Sequence, residues 1–396
     1  MSTDFLSERI NNMATSATLA MAAKARELKA EGRDIIGLSL GEPDFNIPDF
    51  IKEAAKEAID QNYSSYSPVD GYADLKQAIA NKFKRDNNLD YGLDQIVVST
   101  GAKQSLANVA MAMINEGDEV VLPAPYWVSY SDIVKLAGGV PVEVPTSIDT
   151  DFKMTAQQLE DAITPKTKML WFSSPCNPSG SVYSKEELES LAAVLRNHPG
   201  IFVVSDEIYE HINFTGGHVS IAAIEGMYDR TITVNGVSKA FAMTGWRIGF
   251  IGAPAWIAKA TNKFQGQVTS GANSIAQRAT IAALEAPKEK IQYMIDEFHK
   301  RRDLILGLLG EIEGFNLNVP EGAFYVFPDI SSFFGKTIDG MQINNASDFS
   351  LFLLDKANVA TVTGEAFGNP NCIRISYAAS EAELKEAIAR IKKALS

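Results

Sequence analysis

Cysteine and histidine are scarce in this sequence. Its 396 residues include two cysteines, Cys176 and Cys372, and four histidines. The cysteines lie far apart and form no CxxC pair, which argues against a disulfide framework and against a cysteine zinc motif. The histidines lack the spacing of metal ligands; they are His198, His211, His218 and His299. We therefore expect no metal site.

Long apolar runs and an excess of positive charge are also missing. No uninterrupted apolar stretch reaches the length of a membrane span. The N-terminus, with Asp4, Glu8 and Arg9, lacks the basic start and compact apolar segment of a secretory signal. The net charge of -13 repels nucleic acids and anionic membranes. We expect a cytoplasmic protein that binds neither and that holds anionic substrates with a few well-placed cations.

The length and the order of patterns predict two domains. A chain of 396 residues exceeds the size at which single cores usually stop growing. From about residue 95, short β-branched runs alternate with helical segments, which predicts an α/β domain with a mostly parallel sheet between layers of helices. A long helical stretch over 274–309 then leads into an α+β region. We assign 48–285 to the large domain, and 1–47 with 286–396 to the small domain.

Lys239 and Arg247 lie in the segment NGVSKAFAMTGWRIGF, residues 235–250. Lys239 follows an apolar run and has small or apolar neighbours, where an amine loses solvation, its pKa falls, and the neutral form can attack an aldehyde. A surface lysine in a turn would have the same spacing, so the residues alone leave both interpretations open. Arg247, in TGWRIG, is suited to hold a phosphate or carboxylate with its planar fork of donors.

The apolar run IFVVSDEIYEH, residues 201–211, contains a carboxylate where the predicted strand ends. Ligands of parallel sheets bind beyond the carboxyl ends of the strands. Asp206 would be buried there and would need a cationic partner, such as a protonated pyridine nitrogen. Tyr209, three residues further on, could donate to an anionic ring oxygen. The alternative interpretation of Asp206 is a helix cap at a strand-to-helix turn.

Three further strand-end loops carry candidate residues. The turn Thr100–Lys103 opens a helical segment whose backbone N–H groups could cradle a phosphate. In SSPCNPSG, the neighbouring prolines hold Asn177 rigidly enough to aim its amide. Trp127, in PYWVSY, could stack on a flat cofactor, although an aromatic residue there is also typical of a hydrophobic core.

Six segments of the chain, in this order, resemble the motif series of class I aminotransferases, the fold-type I pyridoxal-phosphate family. They are SLGEPDF, PYWVSY, SSPCNPSG, SDEIYEH, SKAFAMTGWRIG and CIRISYA. The resemblance runs from near Ser16 to the C-terminus, and within the family the chain is most similar to bacterial aspartate aminotransferases of subgroup Iβ. It implies the fold-type I architecture, pyridoxal 5′-phosphate as cofactor, and amino-group transfer between amino acids and 2-oxo acids.

The resemblance also implies how the cofactor would be held. Lys239 would carry it and then move the Cα proton of the substrate, while Asp206 would keep the pyridine nitrogen protonated. Tyr66 would reach the phosphate of a neighbouring subunit, which implies a homodimer with shared active sites. The other implied contacts are Asn177 and Tyr209 at the ring oxygen, Trp127 on the ring face, and Ser238, Arg247, Gly101 and Ala102 around the phosphate.

The resemblance also implies contacts to the α-carboxylate, which all amino-acid substrates share. Arg374, in CIRISYA, would grip the α-carboxylate with two parallel hydrogen bonds, helped by the backbone of Gly41. Trp127 and Asn177 would lie beside the bound substrate. The alternative interpretation of Arg374 is an exposed arginine on an edge strand.

Substrate specificity rests on Lys103, which matches the lysine that holds the distal carboxylate in subgroup Iβ, aided here by Ser16 or Thr18. Its presence favours aspartate with 2-oxoglutarate, although a lysine at a helix start can also be merely solvated. Family members that also accept prephenate tend to carry a basic residue just before the N-terminal serine. Ala14 and Thr15 stand there in this chain, so we expect little prephenate activity.

Three alternative functions remain open. The chain could be an aromatic or broad-range aminotransferase, or a cysteine-conjugate β-lyase that uses the same cofactor. It could also be a non-catalytic sensor of the cofactor, but such regulators carry a DNA-binding helix-turn-helix, for which we expect no room here. Two residues have no assigned role. Cys176 stands where the family commonly has asparagine and is expected to be a tolerated spacer, and Arg278 could reach the active site or the dimer surface.

Overall fold

A computed structural model describes residues 5–11 and 13–396; residues 1–4 and 12, part of the predicted small domain, lie outside this description. The helices are α1 (Glu8–Asn11), α2 (Ala17–Ala30), α3 (Asp49–Asp60), α4 (Ala73–Asn87), α5 (Ala102–Met113), α6 (Ser129–Leu136), α7 (Ala156–Ala162), α8 (Lys185–Asn197), α9 (Ala255–Val268), α10 (Ser274–Glu285), α11 (Glu289–Gly310), α12 (Ala346–Lys356) and α13 (Glu381–Leu395). Within the described ranges, none of these helices combines the length and the apolar character that crossing a membrane requires.

The strands are β1 (Ile36–Gly37), β2 (Ile96–Ser99), β3 (Glu119–Ala124), β4 (Val140–Pro145), β5 (Thr167–Ser173), β6 (Phe202–Asp206), β7 (Thr231–Gly236), β8 (Gly249–Gly252), β9 (Tyr325–Val326), β10 (Lys336–Ile338), β11 (Met341–Ile343), β12 (Val359–Ala360), β13 (Val362–Thr363) and β14 (Ile373–Ser376). Seven of them form the main sheet, in the order β2-β8-β7-β6-β5-β3-β4. Neighbours pair in parallel except around β8, which is antiparallel to β2 and β7. The predicted mostly parallel sheet is confirmed.

Helices cover both faces of this sheet. Along β5, Met169 and Trp171 pack with residues of α5 and α6, whereas Leu170 and Phe172 pack with residues of α8. Because successive side chains of a strand point to opposite faces, these two clusters lie on opposite sides. The predicted α/β class with helical layers on both faces is therefore confirmed.

A second hydrophobic core forms around the C-terminal elements. Residues of α11, α12 and α13 pack there against β9 and β14, which belong to a small sheet of order β13-β14-β9. The N-terminal segment joins this region, since β1 pairs in parallel with β12 through Ile36 and Val359. This arrangement agrees with a small domain built from both ends of the chain, whose boundaries stay a prediction.

The predicted continuous helix over 274–309 is wrong. The helix is interrupted between α10 and α11, where Ala286 adopts an extended conformation with φ -63° and ψ 142°. Pro287 explains the break, because proline has no N–H to donate and disfavours a helical conformation of the residue before it.

Strand β8 is not a β-branched run, so the pattern of such runs did not predict it. Its sequence, GFIG, has glycines at both ends, which depress strand propensity. The structure gives one of them a reason: a Cβ on Gly249 would lie 2.1 Å from the backbone nitrogen of Ala102. Only glycine therefore allows β8 to pass the start of α5 this closely.

Candidate active site

A cavity of about 330 Å³ opens at the carboxyl edge of the main sheet. Its lining comes largely from the loops that follow β3, β5, β6 and β7, the position at which parallel sheets bind ligands. The structure brings together there all predicted site residues except Gly101 and Tyr66. They are Ser16, Thr18, Gly41, Ala102, Lys103, Trp127, Asn177, Asp206, Tyr209, Ser238, Lys239, Arg247 and Arg374.

Lys239 follows the end of β7 and points its amine into this cavity. Burial lowers its pKa to about 8; Glu42 works against this shift, while Arg374 and Arg247 add to it. In the described part of the chain the amine pairs with no carboxylate, and its hydrogen bond goes to the backbone oxygen of Gly41. An amine with this pKa is substantially neutral near pH 8, and the neutral amine is the form that attacks carbonyl groups.

Asp206 ends β6 on the same side of the sheet. Burial raises its pKa to about 6, although hydrogen bonds from Tyr130 and from the backbone of Ile208 work against this shift. The Tyr130 hydroxyl lies 2.7 Å from Oδ2 and the Ile208 nitrogen 3.2 Å from Oδ1. A buried carboxylate held by two neutral donors is poised to accept a cationic N–H from a ligand.

Arg374 lies on β14 and is 1 % exposed, so the alternative of a surface arginine is wrong. Its guanidinium donates to the Asn177 side-chain oxygen at 2.9 Å and to the Ser39 carbonyl at 2.5 Å, and stacks 4.6 Å from the ring centre of Tyr325. Its Nε has no partner in the described part of the protein. A buried cation with a free donor is a site for a ligand carboxylate.

The start of α5 and Arg247 lie side by side at the cavity. Gly101 has φ +84°, and a Cβ there would lie 2.3 Å from the Arg247 guanidinium, so a larger residue would fill the space that the arginine occupies. The first N–H groups of a helix attract anions. With Ser238 buried nearby, these groups fit a phosphate.

Lys103, next to Ala102 at the start of α5, and the start of α2 also line the cavity. The Lys103 amine sits 4.8 Å from the ring centre of Trp127, and burial together with Arg247 lowers its pKa. Ser16 precedes α2 without using its hydroxyl as a helix cap. Lys103 is thus an exposed residue whose amine packs over the Trp127 ring in the cavity lining, and the Ser16 hydroxyl is not used as a helix cap.

Tyr130, Tyr325 and Glu42 are among the lining residues that were not predicted from the sequence. The Tyr325 hydroxyl lies 2.7 Å from the Tyr209 hydroxyl. A Cβ on Gly41 would lie 2.2 Å from the Tyr325 hydroxyl. Tyr325 comes from the C-terminal region, so no local pattern tied it to Tyr209. Tyr130 could have been found, because it lies three residues after Trp127 and so one helical turn away.

Two candidates lie away from the cavity. Tyr66 is fully exposed, at 100 % of its reference area. Arg278 forms an ion pair with Asp74 and stacks 4.8 Å from the ring centre of Tyr63, so it does not point into this cavity. Cys176 is buried with its sulfur 3.8 Å from the Pro125 carbonyl.

A buried ionic cluster lies behind the segment that carries Asp206 and Tyr209. Its core consists of Glu207, Glu210, Lys82 and His218, with side-chain exposures of 0 %, 2 %, 1 % and 6 %. Three of these side chains could ligate a metal ion. The Lys82 ammonium, however, pairs directly with Glu210, and this fixed positive charge opposes a metal cation at the same place.

The chain matches a known protein family over most of its length. A family model described as aminotransferase class I and II matches residues 33–391. The chain belongs to this family. Its members are transferases of amino groups, so the chain is an aminotransferase, and the fold-type I architecture predicted from the motifs is confirmed.

Relatives in this family match nearly the whole chain. The aspartate/prephenate aminotransferase of Cereibacter sphaeroides (strain ATCC 17029 / ATH 2.4.9) is 49 % identical over 391 residues, covering 98 % of this chain and 98 % of its own. The aspartate aminotransferase of Rhizobium meliloti (strain 1021) is 46 % identical over 389 residues, covering 98 % and 95 %.

Solved structures of the family agree closely with this fold. The aspartate aminotransferase from Rhizobium meliloti superimposes with a TM-score of 0.95 at 45 % identity, covering 98 % of each chain. The aspartate aminotransferase from Thermus thermophilus with maleate gives a TM-score of 0.92 at 41 % identity, covering 98 % of this chain and 99 % of that one.

Proposed function

We propose that this aminotransferase uses pyridoxal 5′-phosphate to transfer the amino group between L-aspartate and 2-oxoglutarate, giving oxaloacetate and L-glutamate by a ping-pong mechanism. The observation that carries the proposal is one cavity in which the half-buried Lys239 amine, the buried Asp206 carboxylate and the buried Arg374 guanidinium have no ion-pair partners among the described residues. Unpaired buried charges are costly, so a ligand with complementary charges is expected there.

The residues of the cavity fit this cofactor. Lys239 would hold its aldehyde and Asp206 its pyridine nitrogen; the groups around its phosphate would be the start of α5, with Gly101 and Ala102, and the side chains of Ser238 and Arg247. Trp127 would cover the ring, and Asn177 with Tyr209 would donate to the ring oxygen. When bound, pyridoxal phosphate supplies an electron sink for the bonds at the substrate Cα.

Lys239 would act as the base at the substrate Cα. Its pKa of about 8 lies close to working pH, which is where a general base is most effective. The cavity places the half-buried amine beside the ring of Tyr209, 5.9 Å from its centre. From there the amine could take the proton from the substrate Cα and later return it.

Arg374 would orient the substrate through its α-carboxylate. Its guanidinium now donates to the Asn177 side chain and the Ser39 carbonyl, and a carboxylate would add charge-assisted hydrogen bonds to a group that is already desolvated. Fixing the α-carboxylate fixes which Cα bond faces Lys239, and this positioning is a large part of catalysis.

Lys103, with Ser16 or Thr18, would bind the distal carboxylate of aspartate. Two observations support a dicarboxylic substrate: Lys103 lines the cavity, and the Thermus thermophilus relative is described with maleate, a dicarboxylate. Although several relatives are named for prephenate as well as aspartate, this chain has Ala14 and Thr15 where we expect a basic residue in prephenate-accepting members. We therefore propose aspartate over prephenate.

A homodimer in the cytoplasm completes the proposal. Tyr66 projects fully into solvent in the single chain, away from the cavity of its own subunit. A tyrosine exposed to this degree suits a contact with a second copy, where it would reach the partner's phosphate site.

Half-reactions test the substrate assignment. Aspartate, glutamate, tyrosine and alanine are added separately to the purified yellow protein, and the loss of the cofactor's yellow absorbance is followed. We expect aspartate and glutamate to react much faster than tyrosine. If aspartate reacts no faster than tyrosine, the broad-range alternative replaces the proposal, and release of pyruvate from a β-substituted alanine would favour the β-lyase.

A further inference from the structure

Tyr130 is a buried tyrosine whose hydroxyl contacts the key carboxylate of the cavity. It lies on α6, is 1 % exposed, and donates to Oδ2 of Asp206 at 2.7 Å. Its ring packs edge-on against Trp127 and Trp171, with centroids 5.6 and 5.9 Å away. The two indoles thus fix where the hydroxyl points.

We propose that Tyr130 is a positioning residue, which orients the Asp206 carboxylate and stabilises its charged form for contact with the cofactor's ring nitrogen. This inference rests on the proposed function. Tyr130 would touch neither substrate nor the reacting atoms, and would act through Asp206.

The hydrogen bonds of Asp206 show why the tyrosine matters. Oδ1 accepts from the backbone nitrogen of Ile208 and Oδ2 from Tyr130, so in the described protein Tyr130 is the side chain that bonds this carboxylate. The backbone contact alone would leave the carboxylate free to rotate about its last side-chain bond. With both donors in place, the plane of the carboxylate is set before any ligand binds.

The same bond opposes the effect of burial. Burial raises the pKa of Asp206, and the Tyr130 hydrogen bond lowers it. Burial, followed by the nearby Asp206 charge, raises the pKa of Tyr130 itself well above its usual value, so the phenol stays a neutral donor throughout the working range of pH. Removing the hydroxyl therefore leaves Asp206 neutral over a wider pH range, and a neutral acid holds a protonated ring nitrogen poorly.

The variant Tyr130→Phe isolates the hydrogen bond from the packing, because phenylalanine keeps the ring between the two indoles. The measurement is the dissociation constant of pyridoxal 5′-phosphate, by equilibrium titration of the cofactor-free protein at a series of pH values. We expect the dissociation constant to rise about tenfold at pH 7. The loss of affinity on the acid side should begin about one pH unit higher than in the unaltered protein. In turnover, kcat should fall while KM for aspartate changes less.

Tyr183→Phe is the matched control. Tyr183 is also buried, and its hydroxyl accepts from the Met154 backbone nitrogen at 2.8 Å, away from the cavity. We expect this variant to lose stability but to keep the cofactor affinity and its pH dependence. Tyr130→Phe added to Asp206→Asn should have no further effect on the pH dependence, since no titrating carboxylate remains.

The outcomes separate the inference from the function on which it rests. If the unaltered protein binds no pyridoxal phosphate, the proposed function fails. If it binds the cofactor but Tyr130→Phe shows the same affinity and the same pH profile, the positioning role is overturned. The role is also overturned if Tyr183→Phe shifts the pH profile equally, because the effect would then be one of general stability.

Discussion

The buried carboxylates on the two sides of the segment 206–211 differ in their partners: neutral donors on one side and charged groups on the other. Asp206 and Tyr209 face the cavity, where the carboxylate has neutral donors as its direct hydrogen-bond partners. Glu207 and Glu210 face the other way, into the ionic cluster with Lys82 and His218. The pKa of Asp206 is raised to about 6, whereas that of Glu210 is lowered by Lys82 and two histidines despite its burial.

The same contrast holds for Lys82, which is buried, and Lys239, which is half-buried. Lys82 pairs with Glu210 and donates a hydrogen bond to the side-chain oxygen of Asn87 at 2.6 Å. Lys239 has a backbone carbonyl as its partner. The cluster therefore satisfies its charges within the protein, whereas the charged groups of the cavity have neutral partners among the described residues.

The largest expected effect is on activity, from Lys239→Ala. Removing the proposed base should lower kcat by about 10⁴-fold, measured by steady-state transamination of aspartate with 2-oxoglutarate. The stability of the cofactor-free protein should not fall, because the amine is desolvated without an ion-pair partner. Lys259→Ala, an exposed lysine on α9, is the control and should keep full activity. Activity of Lys239→Ala within tenfold of the unaltered enzyme would refute its role.

Lys82→Met should have the largest effect on stability. It leaves Glu210 as an unpaired buried charge, which costs about 3–5 kcal/mol, measured by urea unfolding. Lys84→Met removes a lysine whose side chain is 68 % exposed and should cost less than about 1 kcal/mol. Equal losses in the two variants would show that the cluster does not depend on its ion pair.

The pH dependence of this effect has a definite sign. The pKa of Glu210 is lower in the folded state than its usual 4.5, so its contribution is complete above that value and is lost as pH falls below it. Without Lys82, burial raises the pKa of Glu210, so the carboxylate of the variant is protonated first, and the difference in stability between the unaltered protein and Lys82→Met should shrink as pH falls. A difference that stays constant would contradict the ion-pair explanation.

Asp206→Asn, in contrast to Lys82→Met, should increase the stability of the cofactor-free protein at pH 8. The folded pKa of about 6 lies above the usual 3.8, so the ionised carboxylate destabilises the cofactor-free protein above pH 6, and this cost disappears as pH falls to 3.8. At pH 8 the variant should be more stable by up to about 3 kcal/mol, in thermal or urea unfolding, while its activity falls. If the variant were less stable than the unaltered protein at pH 8, the Asp206 charge would be stabilised by the protein itself, as the charges of the ionic cluster are.

His218→Gln should have the smallest effect. Burial lowers the pKa of His218, but Glu207 raises it and gives a net increase, so the contribution of the imidazolium is present below its usual 6.5 and is lost as pH rises through the folded pKa. Glu207 keeps donors from Ser205 and Ser220, at 2.9 and 2.6 Å. We expect a loss of about 1 kcal/mol at pH 6 that fades at higher pH. If the loss of stability grew with pH, the prediction that the protonated imidazole of His218 stabilises the fold would be wrong.

The ends of the main-sheet strands were the part of the fold that could be predicted best. Apolar runs such as IFVVSD report burial and strand type directly, and parallel pairing brings their carboxyl ends to one edge. Asp206, Asn177 and Lys239 were therefore expected to meet, and the structure brings them to one cavity. The helix break at Pro287 was predictable from the proline but was overlooked, because the flanking periodicity is helical on both sides.

The partners of each buried charge were decided by the tertiary structure. Lys82, on α4, meets Glu210, and Tyr325 meets Tyr209 across 116 positions of sequence; no local pattern couples such residues. The four histidines lack metal-ligand spacing along the chain, yet folding places His211 and His218 beside carboxylates.

The sequence by itself determined the family, the strand-end positions of the site residues and the types of group that chemistry requires, because these depend on local composition and order. The tertiary structure alone decided which of the buried charges are paired. Charge pairing depends on distances of a few ångströms between segments remote in sequence, and on how completely water is removed around them. That is why Glu207 and Glu210 are satisfied within the protein while Asp206, one residue from Glu207, is left to bind a ligand.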